Sequence, residues 1–552
     1  MLAIERIHFV IGLILLAAVA MCSRVVYLHL VEKDFLQDQG DARTIRMERI
    51  NAHRGMIRDR QGKPLAISSP VTSIWANPQE LLQEQGRLDQ LALMFGVTPE
   101  EFRARLARNS DKSFIYLRRH MPPPEAQKIL SLDVKGVYPE REYQRFYPAG
   151  EVAAHIVGFT NVDDKGQEGL ELSFDRWLQG TPGKKKVLKN LYGEIVRDIM
   201  PVTEAKPGKS LDLSIDLRLQ YLAYRELKSA VSFHGAASGS FVILDVLTGE
   251  VLAMVNQPSY NPNNRANLEL SSVRNRSVTD VFEPGSTVKP LTVAVALESG
   301  EMNLETLIDT SPGFIHVDGK TIPDPSNYGT LTLAGIISKS SQVGITRVAL
   351  SLNEFDVWSK FQAMGFGQAT GIGFPGESTG YLPNHRRWKD IERATFAYGY
   401  GLTVTPLQLA AAYATIARDG IRRDVSVIRG KGTEGVRVID KQVARDIRMM
   451  LAGVINEGTG RRANIDGYDI AGKTGTVRKV GESGYEDTRH LAFFAGMAPA
   501  HDPRIVGVVM VNDPRNGEYG GGAVAAPVFA RVIAGALRLL NVPPVTTDGK
   551  AA

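Results

Sequence analysis

The sequence predicts an α/β fold for the C-terminal part of this 552-residue chain. Alternating apolar patterns typical of strands stand at both ends of that part, and helical patterns stand between them. This order favours a layered sandwich in which distant segments of the chain build one sheet. A mixed α+β region precedes the sandwich, and a long apolar segment opens the chain. The length is enough for two or three domains.

The apolar segment near the N-terminus predicts a single transmembrane anchor. It runs from His8 to Cys22 and resumes at Val25–Leu28, beyond Arg24. The first run alone is short for a bilayer span of about 20 residues, but the length suffices if Arg24 extends its side chain to the interface. The alternative is a cleaved signal peptide, because Ala18-Val19-Ala20 resembles a cleavage site.

Composition and charge narrow the function classes only slightly. The net charge of +5 and the isoelectric point of about 9.0 fit an exported protein beside anionic lipids and cell-wall polymers. They fit nucleic-acid binding equally well, but the sequence has no nucleic-acid-binding motif, so we predict no nucleic-acid partner. Cys22 is the only cysteine and excludes an intramolecular disulfide. We predict neither a metal nor another cofactor.

Residues 31 to about 210 mix strand-like and helix-like patterns. Leu88–Phe95 and Pro99–Leu106 predict short helices, whereas Gly180–Gly183 and Lys184-Lys185-Lys186 indicate a polar connector with a solvated lysine turn. This region has no motif for a nucleophile, a phosphate loop or a glycosyltransferase. The pattern therefore predicts a spacer or docking module.

Strand patterns then delimit the α/β part. The first alternating segment begins near residue 211, and a hairpin follows around the turn Leu247-Thr248-Gly249. Helical patterns follow Ser286, and further strands come after Lys473. The predicted strands are Leu211–Ile215, Ser240–Asp245, Gly249–Met254, Leu491–Met497 and Arg504–Val511.

Ser286 and Lys289 are the leading catalytic candidates. Gly285 interrupts any preceding element and Pro290 suits a first helical turn, so the pair stands at a predicted helix start. Residues three apart share a helix face, which places the lysine amine beside the serine hydroxyl. A lysine activates a serine only if burial or nearby positive charge lowers its pKa. Taken alone, the pair is also compatible with an ordinary helix start.

Two further segments favour the catalytic interpretation of Ser286 and Lys289 over an ordinary helix start. Lys473-Thr474-Gly475-Thr476 on a strand edge offers a cation and hydroxyls to a substrate carboxylate, and its glycine permits close approach of a substrate backbone. Ser340-Ser341-Gln342 lies between the two other motifs. A set of Ser-x-x-Lys, Ser-x-Asn and Lys-Thr-Gly is typical of penicillin-binding proteins and related β-lactamases. The first and third members are intact here, and the second has glutamine in place of asparagine.

The sequence resembles class B penicillin-binding proteins, specifically the division-specific peptidoglycan D,D-transpeptidases. The resemblance extends from the apolar segment almost to the C-terminus. Besides the three motifs, the matching segments are His53–Arg60, Arg145–Glu151, Gly158–Asp163, Gly166–Glu171, Arg274–Arg276 and Tyr398–Gly401.

This resemblance implies a fold and its limits. The transpeptidase domain is expected to be penicillin-binding and serine β-lactamase-like, with a mainly antiparallel sheet flanked by helices, preceded by a mixed α+β pedestal. The expected parts are residues 1–30 as cytoplasmic tail and transmembrane anchor, 31–210 as pedestal, 211–541 as transpeptidase domain and 542–552 as a flexible tail.

The resemblance also implies the chemistry. Ser286 attacks the D-Ala-D-Ala bond of a stem peptide with help from Lys289, and an amine of a second stem peptide resolves the acyl-enzyme. Ser340 passes a proton to the leaving group. Lys473 and Thr474 hold the donor carboxylate, next to Gly475. The backbone N–H groups of Ser286 and Thr476 form the oxyanion hole.

Gln342 is the one departure within the motifs. The family asparagine contacts both the catalytic lysine and the substrate, and glutamine keeps its amide but adds a methylene and a rotatable bond. A misplacement of about 1 Å can cost roughly a hundredfold in rate. A small shift of the loop that preserves activity, a specialised paralogue and a weakened division scaffold all remain open.

Partners and location follow from the same resemblance. We expect stem-peptide donors, amine acceptors and β-lactams as ligands, with a SEDS-family glycosyltransferase and other division proteins as partners. The chain is expected in the bacterial inner membrane with its catalytic domain in the periplasm, at the septum. The alternatives are a D,D-carboxypeptidase or β-lactamase, and a non-enzymatic penicillin-binding scaffold. The large N-terminal region is superfluous for simple hydrolysis and argues against a hydrolase.

Overall fold

The computed structural model describes residues 2–36, 45–189, 195–432, 434–481 and 484–544. The predicted tail at 542–552 therefore lies outside the described residues from 545 onward.

The helices of the N-terminal part are α1 (Leu2–Leu30), α2 (Pro78–Leu81), α3 (Leu88–Phe95), α4 (Pro99–Ala107), α5 (Pro123–Leu130), α6 (Ala154–Val157), α7 (Gly169–Ser173) and α8 (Asp175–Leu178). Those of the C-terminal part are α9 (Leu217–Phe233), α10 (Leu270–Val273), α11 (Arg276–Thr279), α12 (Lys289–Glu298), α13 (Leu333–Lys339), α14 (Gln342–Ser351), α15 (Glu354–Ala363), α16 (Asp390–Ala397), α17 (Pro406–Ala417), α18 (Lys441–Asn456) and α19 (Gly521–Leu539).

The strands are distributed over the whole chain. Before residue 215 they are β1 (Ile45–Ile50), β2 (Ile57–Arg58), β3 (Pro64–Ala76), β4 (Ile115–Met121), β5 (Val137–Phe146), β6 (Phe159–Thr160), β7 (Gly166–Glu168), β8 (Gly183–Lys189), β9 (Ile195–Thr203) and β10 (Leu211–Asp212). Beyond it they are β11 (Ser238–Asp245), β12 (Val251–Gln257), β13 (Leu307–Asp309), β14 (Phe314–Val317), β15 (Lys320–Pro323), β16 (Thr330–Thr332), β17 (Ile421–Arg422), β18 (Val436–Arg437), β19 (Ala471–Gly481), β20 (Gly484–Ala498) and β21 (Ile505–Asn512).

The chain divides into two compact units that alternate along the sequence. The first comprises residues 1–54, 70–143 and 179–208, and the second comprises 55–69, 144–178 and 209–552. One change of unit falls near residue 209. The predicted domains are continuous in sequence, whereas these units are not, because segments 55–69 and 144–178 pack with the C-terminal part. The predicted limits therefore remain a prediction.

The first unit contains both predicted short helices. Helix α3 ends at Gly96, whose φ of +71° suits a left-handed C-cap. Helix α4 begins at Thr98, whose hydroxyl accepts from the N–H of Glu101 while the Glu101 carboxylate accepts from the N–H of Thr98. The predictions for residues 88–95 and 99–106 are confirmed.

The interpretation of the lysine run as a solvated turn is wrong. Lys184, Lys185 and Lys186 belong to β8, the central strand of the antiparallel sheet β1-β8-β9. Both neighbouring strands satisfy the backbone of the run, and the long side chains of Lys184 and Lys186 still reach solvent. Lys185 lies 3.4 Å from the carboxylate of Glu48 on β1. Charged side chains therefore do not exclude a central strand when one face is open.

The predicted strand at Leu211–Ile215 is shorter than expected. Only β10 is a strand, and it pairs in parallel with β2 rather than with the transpeptidase-type sheet. Leu213 makes a single bridge to Ile428. The apolar alternation arises because Leu211, Leu213 and Ile215 are all buried, not because the segment is a long strand.

The main sheet of the second unit is built from distant segments, as predicted. Its order is β12-β11-β21-β20-β19, and every neighbouring pair is antiparallel. Alternate residues of β11 face opposite sides: Phe241 packs in the core with α9 and α19, and Val242 packs in the core with α17. Helices thus cover both faces. The predicted hairpin and the two C-terminal strands are confirmed.

Within the described residues, two helices are long and apolar enough to cross a membrane. Residues Ile4–Leu30 of α1 have a mean hydropathy of 2.5 and are 0% buried. Helix α19 has a mean hydropathy of 1.5, but half of its apolar stretch is buried, and Phe529 and Ile533 pack against the main sheet. Helix α19 is therefore a core helix, whereas α1 matches the predicted anchor.

Candidate active site

Ser286 lies on a 3₁₀ turn, Gly285–Val288, that leads directly into α12. Gly285 has a φ of +50°, and its N–H donates to the carbonyl of Gly399 over 3.0 Å. A Cβ at residue 285 would lie 2.7 Å from Cγ1 of Val477 on β19. The helix start is confirmed, and glycine is required there for a left-handed backbone and for close packing against the sheet.

Ser286 and Lys289 form no direct hydrogen bond with each other. The Ser340 hydroxyl, from the second motif, lies between them and contacts both. Ser340 Oγ donates to Ser286 Oγ over 3.0 Å. Lys289 Nζ donates to the carbonyl of Ser340 over 2.6 Å and to Ser340 Oγ over 3.3 Å. Among the described residues Lys289 makes no hydrogen bond to Ser286. The shared helix face was predicted correctly, but the amine turns toward the carbonyl, which is the stronger acceptor within its reach.

Lys289 is an unusual lysine because its exposed fraction is 0%. Burial, and to a smaller extent the charge of Lys473, hold its pKa well below the ordinary range, while Asp324 opposes the shift. A lowered pKa is the condition stated above for a lysine that acts as the base for a serine. A lowered pKa favours the neutral amine, which has two N–H groups and one lone pair; with both N–H groups donated to Ser340, the lone pair is left as a proton acceptor.

Lys473 completes the group from the edge strand β19. It is also 0% exposed, and burial lowers its pKa to about 7. Its amine donates to Ser340 Oγ over 3.1 Å and to the carbonyl of Thr474 over 3.3 Å. Ser340 thus binds Ser286, Lys289 and Lys473 at once. The structure brings the catalytic candidates from all three motifs together.

The loop that carries Ser340 is held by a residue that the sequence analysis missed. Ser340 has a φ of +61°, between the end of α13 and the start of α14. Asp324 is almost fully buried and accepts from Ser341 Oγ over 2.5 Å and from the backbone N–H groups of Gln342 and Val343. A carboxylate at the start of α14 also interacts favourably with the helix dipole. No sequence pattern links Asp324 to this loop.

Gln342 is half-buried at the first position of α14. Its side-chain amide makes no hydrogen bond to any residue in the described ranges. The expected contact with Lys289 is absent, because Ser340 occupies the lysine N–H groups instead. The amide is therefore available to a substrate from a position one methylene farther out than an asparagine would give.

The other residues of the Lys-Thr-Gly motif are positioned by their neighbours. Thr474 Oγ1 lies 2.7 Å from Thr459 Oγ1, and Thr476 Oγ1 accepts from the N–H of Gly521 over 2.9 Å. A Cβ at Gly475 would lie 1.9 Å from the ring of Phe493. Glycine at this position is thus required by packing beneath the strand, a reason that the sequence did not reveal.

A second group that the sequence analysis missed connects the nucleophile turn to the β19–β20 hairpin. The carboxylate of Glu283 accepts from the hydroxyl of Tyr485 at 2.9 Å and 3.1 Å and from the N–H of Gly401 over 2.9 Å. Tyr400 packs edge-on against Tyr485 with ring centroids 6.0 Å apart. Burial and Glu283 raise the pKa of Tyr485. These contacts border the site on the side of Ser286.

Comparisons with known proteins agree with this geometry. The family model described as penicillin binding protein transpeptidase domain matches residues 239–534, and the penicillin-binding protein dimerisation domain matches residues 49–213. The chain therefore belongs to the penicillin-binding protein family. With the exposed apolar helix α1, this membership indicates a membrane-anchored protein.

The curated relatives define the branch of the family. Peptidoglycan D,D-transpeptidase FtsI of Escherichia coli K12 is 45% identical over 99% of this chain and 94% of its own. Probable peptidoglycan D,D-transpeptidase PbpC of Pseudomonas aeruginosa is 42% identical over 98% of this chain and 96% of its own. The chain is similar to FtsI-type transpeptidases along almost its whole length.

Solved structures support the same fold. The transpeptidase domain of Burkholderia pseudomallei penicillin-binding protein 3 is 42% identical, with a TM-score of 0.56 over 60% of this chain and 98% of its own. Mycobacterium tuberculosis penicillin-binding protein 3, solved with aztreonam, is 27% identical, with a TM-score of 0.70 over 92% of this chain and 100% of its own. The predicted penicillin-binding fold is confirmed.

Proposed function

We propose that this chain is a serine-type peptidoglycan D,D-transpeptidase that cross-links stem peptides through an acyl-enzyme on Ser286. The observation that carries this proposal is the Ser340 hydroxyl, which contacts Ser286 and the two buried amines of Lys289 and Lys473. The FtsI-type relatives support the reaction class. β-Lactams are inhibitors by the same proposal, supported by the related protein solved with aztreonam.

Acylation follows from the protonation states. Neutral Lys289 takes the proton of Ser286, and Ser286 Oγ forms a bond to the carbonyl carbon of the penultimate D-Ala. The bond to the nitrogen of the terminal D-Ala breaks, and that nitrogen receives a proton through Ser340. Ser340 already contacts both Ser286 and Lys289, so this relay needs only a reorientation of the hydroxyl and amine hydrogens.

Deacylation is the reverse sequence with a different nucleophile. An amine of a second stem peptide attacks the ester carbonyl, gives its proton back through the Ser340 and Lys289 pair, and the bond to Ser286 Oγ breaks. The new bond is the cross-link. An amine is preferred over water in this proposal, because activation of water needs a general base near the ester. Among the described residues, no carboxylate forms a hydrogen bond with Ser286.

Substrate binding uses the edge strand. Lys473 can carry a positive charge near neutral pH because its pKa is about 7, so it attracts the terminal carboxylate of the donor, which Thr474 also contacts. Gly475 lets the donor backbone lie along β19. The N–H groups of Ser286 and Thr476 are assigned to the oxyanion, where losing one donor typically costs about 100- to 1,000-fold in rate. Gln342 is assigned to the donor amide.

The cellular setting belongs to the same proposal. In this proposal α1 is a retained anchor in the bacterial inner membrane, and the catalytic domain lies in the periplasm; the exposed apolar helix supports the anchor. Similarity to FtsI-type proteins supports a role at the division septum. A SEDS-family glycosyltransferase and other division proteins are the proposed partners, by analogy with class B proteins.

The first test is acylation of the full-length chain in a non-ionic detergent by a fluorescent penicillin. Intact-mass analysis should show one adduct on the wild type and none on Ser286→Ala. A thioester donor should then be joined to an amine acceptor. An adduct without cross-linking would favour the penicillin-binding scaffold, and donor hydrolysis unaffected by the amine would favour a D,D-carboxypeptidase.

A further inference from the structure

A second cavity lies at the end of the main sheet where β19 begins. Its volume is about 720 Å³, within the range of small-molecule sites. The turns β11–β12 and β20–β21, the end of α17, the strand β18 and one face of α18 form its walls. None of the residues assigned to catalysis lines it.

The lining is rich in cations. Lys441, Arg445 and Arg448 lie on one face of α18, and Arg418 and Arg437 come from the neighbouring elements. The acidic residues of the lining are Asp419, Asp469 and Asp502. Five cations against three carboxylates leave an excess of positive charge.

The carboxylates do not neutralise all of these cations. Asp419 pairs with Arg448 at 2.7 Å and with Arg445 at 3.3 Å, and Asp469 binds His501. In the described part of the chain, no carboxylate forms an ion pair with Arg418, Arg437 or Lys441. The hydrogen bonds of Arg437 go to backbone carbonyls only.

Buried guanidinium N–H groups without partners concentrate around this cavity. Arg448 is only 7% exposed, yet among the residues that the structure describes its Nε has no hydrogen-bond partner, and Nη2 of Arg418 has none either. The Nε atoms of Arg423 and Arg504, which flank the same two turns, are also buried and unpartnered. Burial and Arg423 lower the pKa of Arg418 to about 10. A buried donor left unsatisfied is costly, so the site is suited to an acceptor that the protein does not supply.

We propose that this cavity binds a phosphate-bearing ligand, held by Arg418 and Arg448 and attracted by Arg437 and Lys441. Guanidinium groups bind phosphate oxygens in a planar, two-bond geometry. A phosphate group offers three or more oxygen acceptors to these donors and carries one negative charge in a diester and nearly two in a monoester, whereas a peptide carboxylate offers two oxygens and a single charge. The ligand is either a soluble phosphate ester or a phospholipid headgroup, which share this chemistry.

The test is calorimetric titration of the full-length chain in a non-ionic detergent, with pyrophosphate at constant ionic strength. Wild type should bind, and Arg418→Met and Arg448→Met should each weaken binding by about tenfold or more, as expected for lost charge-assisted hydrogen bonds. Arg225→Met, an exposed arginine paired with Glu226, is the matched control and should not change binding.

Two further measurements separate a loss of binding from a loss of folding, and a soluble ligand from a lipid headgroup. Lys441→Met alters an exposed side chain and should weaken binding while penicillin acylation of Ser286, the check on folding, stays normal. Glycerol 3-phosphate and dihexanoyl phosphatidylglycerol are then compared, and the tighter of the two identifies the soluble or the lipid source. Binding no tighter than that of sulfate, or unchanged by Arg418→Met, would overturn the proposal and leave an adventitious ion only.

Discussion

At the scale of single residues, two buried amines share one hydroxyl. Lys289 and Lys473 are both 0% exposed, and both contact Ser340. Burial lowers the pKa of each amine, and the charge of Lys473 lowers the pKa of Lys289 further. The lowered pKa favours the neutral form of Lys289, as the proposed base requires, and Lys473 is the amine assigned to carboxylate binding.

Lys473 also makes the stability of the fold depend on pH. Burial lowers its pKa to about 7, whereas the amine in the unfolded chain titrates near ~10.4. Between these values the unfolded chain binds more protons, so the free energy of unfolding rises with pH through this window. We expect the Tm of wild type to rise more between pH 7 and 10 than the Tm of Lys473→Met. Parallel Tm curves for the two proteins would contradict the assignment.

Asp324 is expected to position the catalytic loop. Asp324→Asn keeps the volume but removes the charge that accepts from Ser341 and from the N–H of Gln342. We expect acylation by penicillin to slow by about 10- to 100-fold, equivalent to one or two weakened charge-assisted hydrogen bonds. Stopped-flow fluorescence with a labelled penicillin measures this rate. Asp318→Asn, at an exposed carboxylate that caps Ile391, is the control and should acylate normally.

The candidate site residues were predictable where a motif contains them and not elsewhere, and their roles remain a proposal. Ser286, Lys289, Ser340 and Lys473 were found from spacing and resemblance, and the structure brings them together. Asp324 and Glu283 were missed because each acts across the fold on a loop distant in sequence. One sequence cannot show such pairs, since nothing in local periodicity connects them.

At the scale of elements, strand β19 is packed so tightly that one position accepts only glycine. In Gly475→Ala the new methyl group would meet the Phe493 ring at 1.9 Å. We expect destabilisation by about 1–3 kcal/mol, the usual cost of overpacking, together with loss of penicillin binding. Thermal unfolding and penicillin labelling measure the two effects.

The matched control for Gly475→Ala is Gly86→Ala. Gly86 is exposed, and nothing lies within 4 Å of the position of its Cβ. Its Tm and labelling should equal those of wild type. If Gly475→Ala behaved in the same way, the packing against Phe493 would not be limiting.

Element predictions succeeded where caps and apolar periodicity agreed. Helices α3 and α4 have a glycine C-cap and a capping box, and their limits were found almost to the residue. The lysine run of β8 was missed because its strand character comes from two neighbouring strands rather than from its own side chains. Tertiary pairing overrides local propensity in such cases.

At the scale of the whole molecule, a buried ion pair ties two short segments into the second unit. Arg145 donates to Glu171 over 2.6 Å, to Ser68 over 3.1 Å and to the carbonyl of Gly55 over 2.8 Å. The side chains of Arg145 and Glu171 are 1% and 0% exposed. This network joins segment 55–69 to segment 144–178.

Breaking this pair should be severe. Arg145→Met leaves the buried Glu171 without its guanidinium, and we expect a loss of about 3–5 kcal/mol in the free energy of unfolding. Chemical denaturation of the full-length chain measures it. Adding Glu171→Gln to Arg145→Met should restore part of the loss, since the buried negative charge that Arg145 had balanced is then gone. Equal stability of the single and double variants would argue against the ion pair as the cause.

The overall architecture was predictable in kind but not in its connectivity. The order of strands and helices predicted one sheet made of distant segments, and the sheet β12-β11-β21-β20-β19 confirms it. The alternation of the two units along the chain was not predictable, because segments 55–69 and 144–178 carry no pattern that distinguishes them from their neighbours.

That alternation has a consequence for gene exchange between related bacteria. A single crossover near residue 209 would take two segments of the second unit from one parent and the remainder from the other. Pairs such as His155 with Ser272 and Tyr147 with Asn263 would then have mixed ancestry. A functional mosaic must therefore preserve both partners of each pair, or have its crossover beyond residue 272, so that all four residues come from one parent.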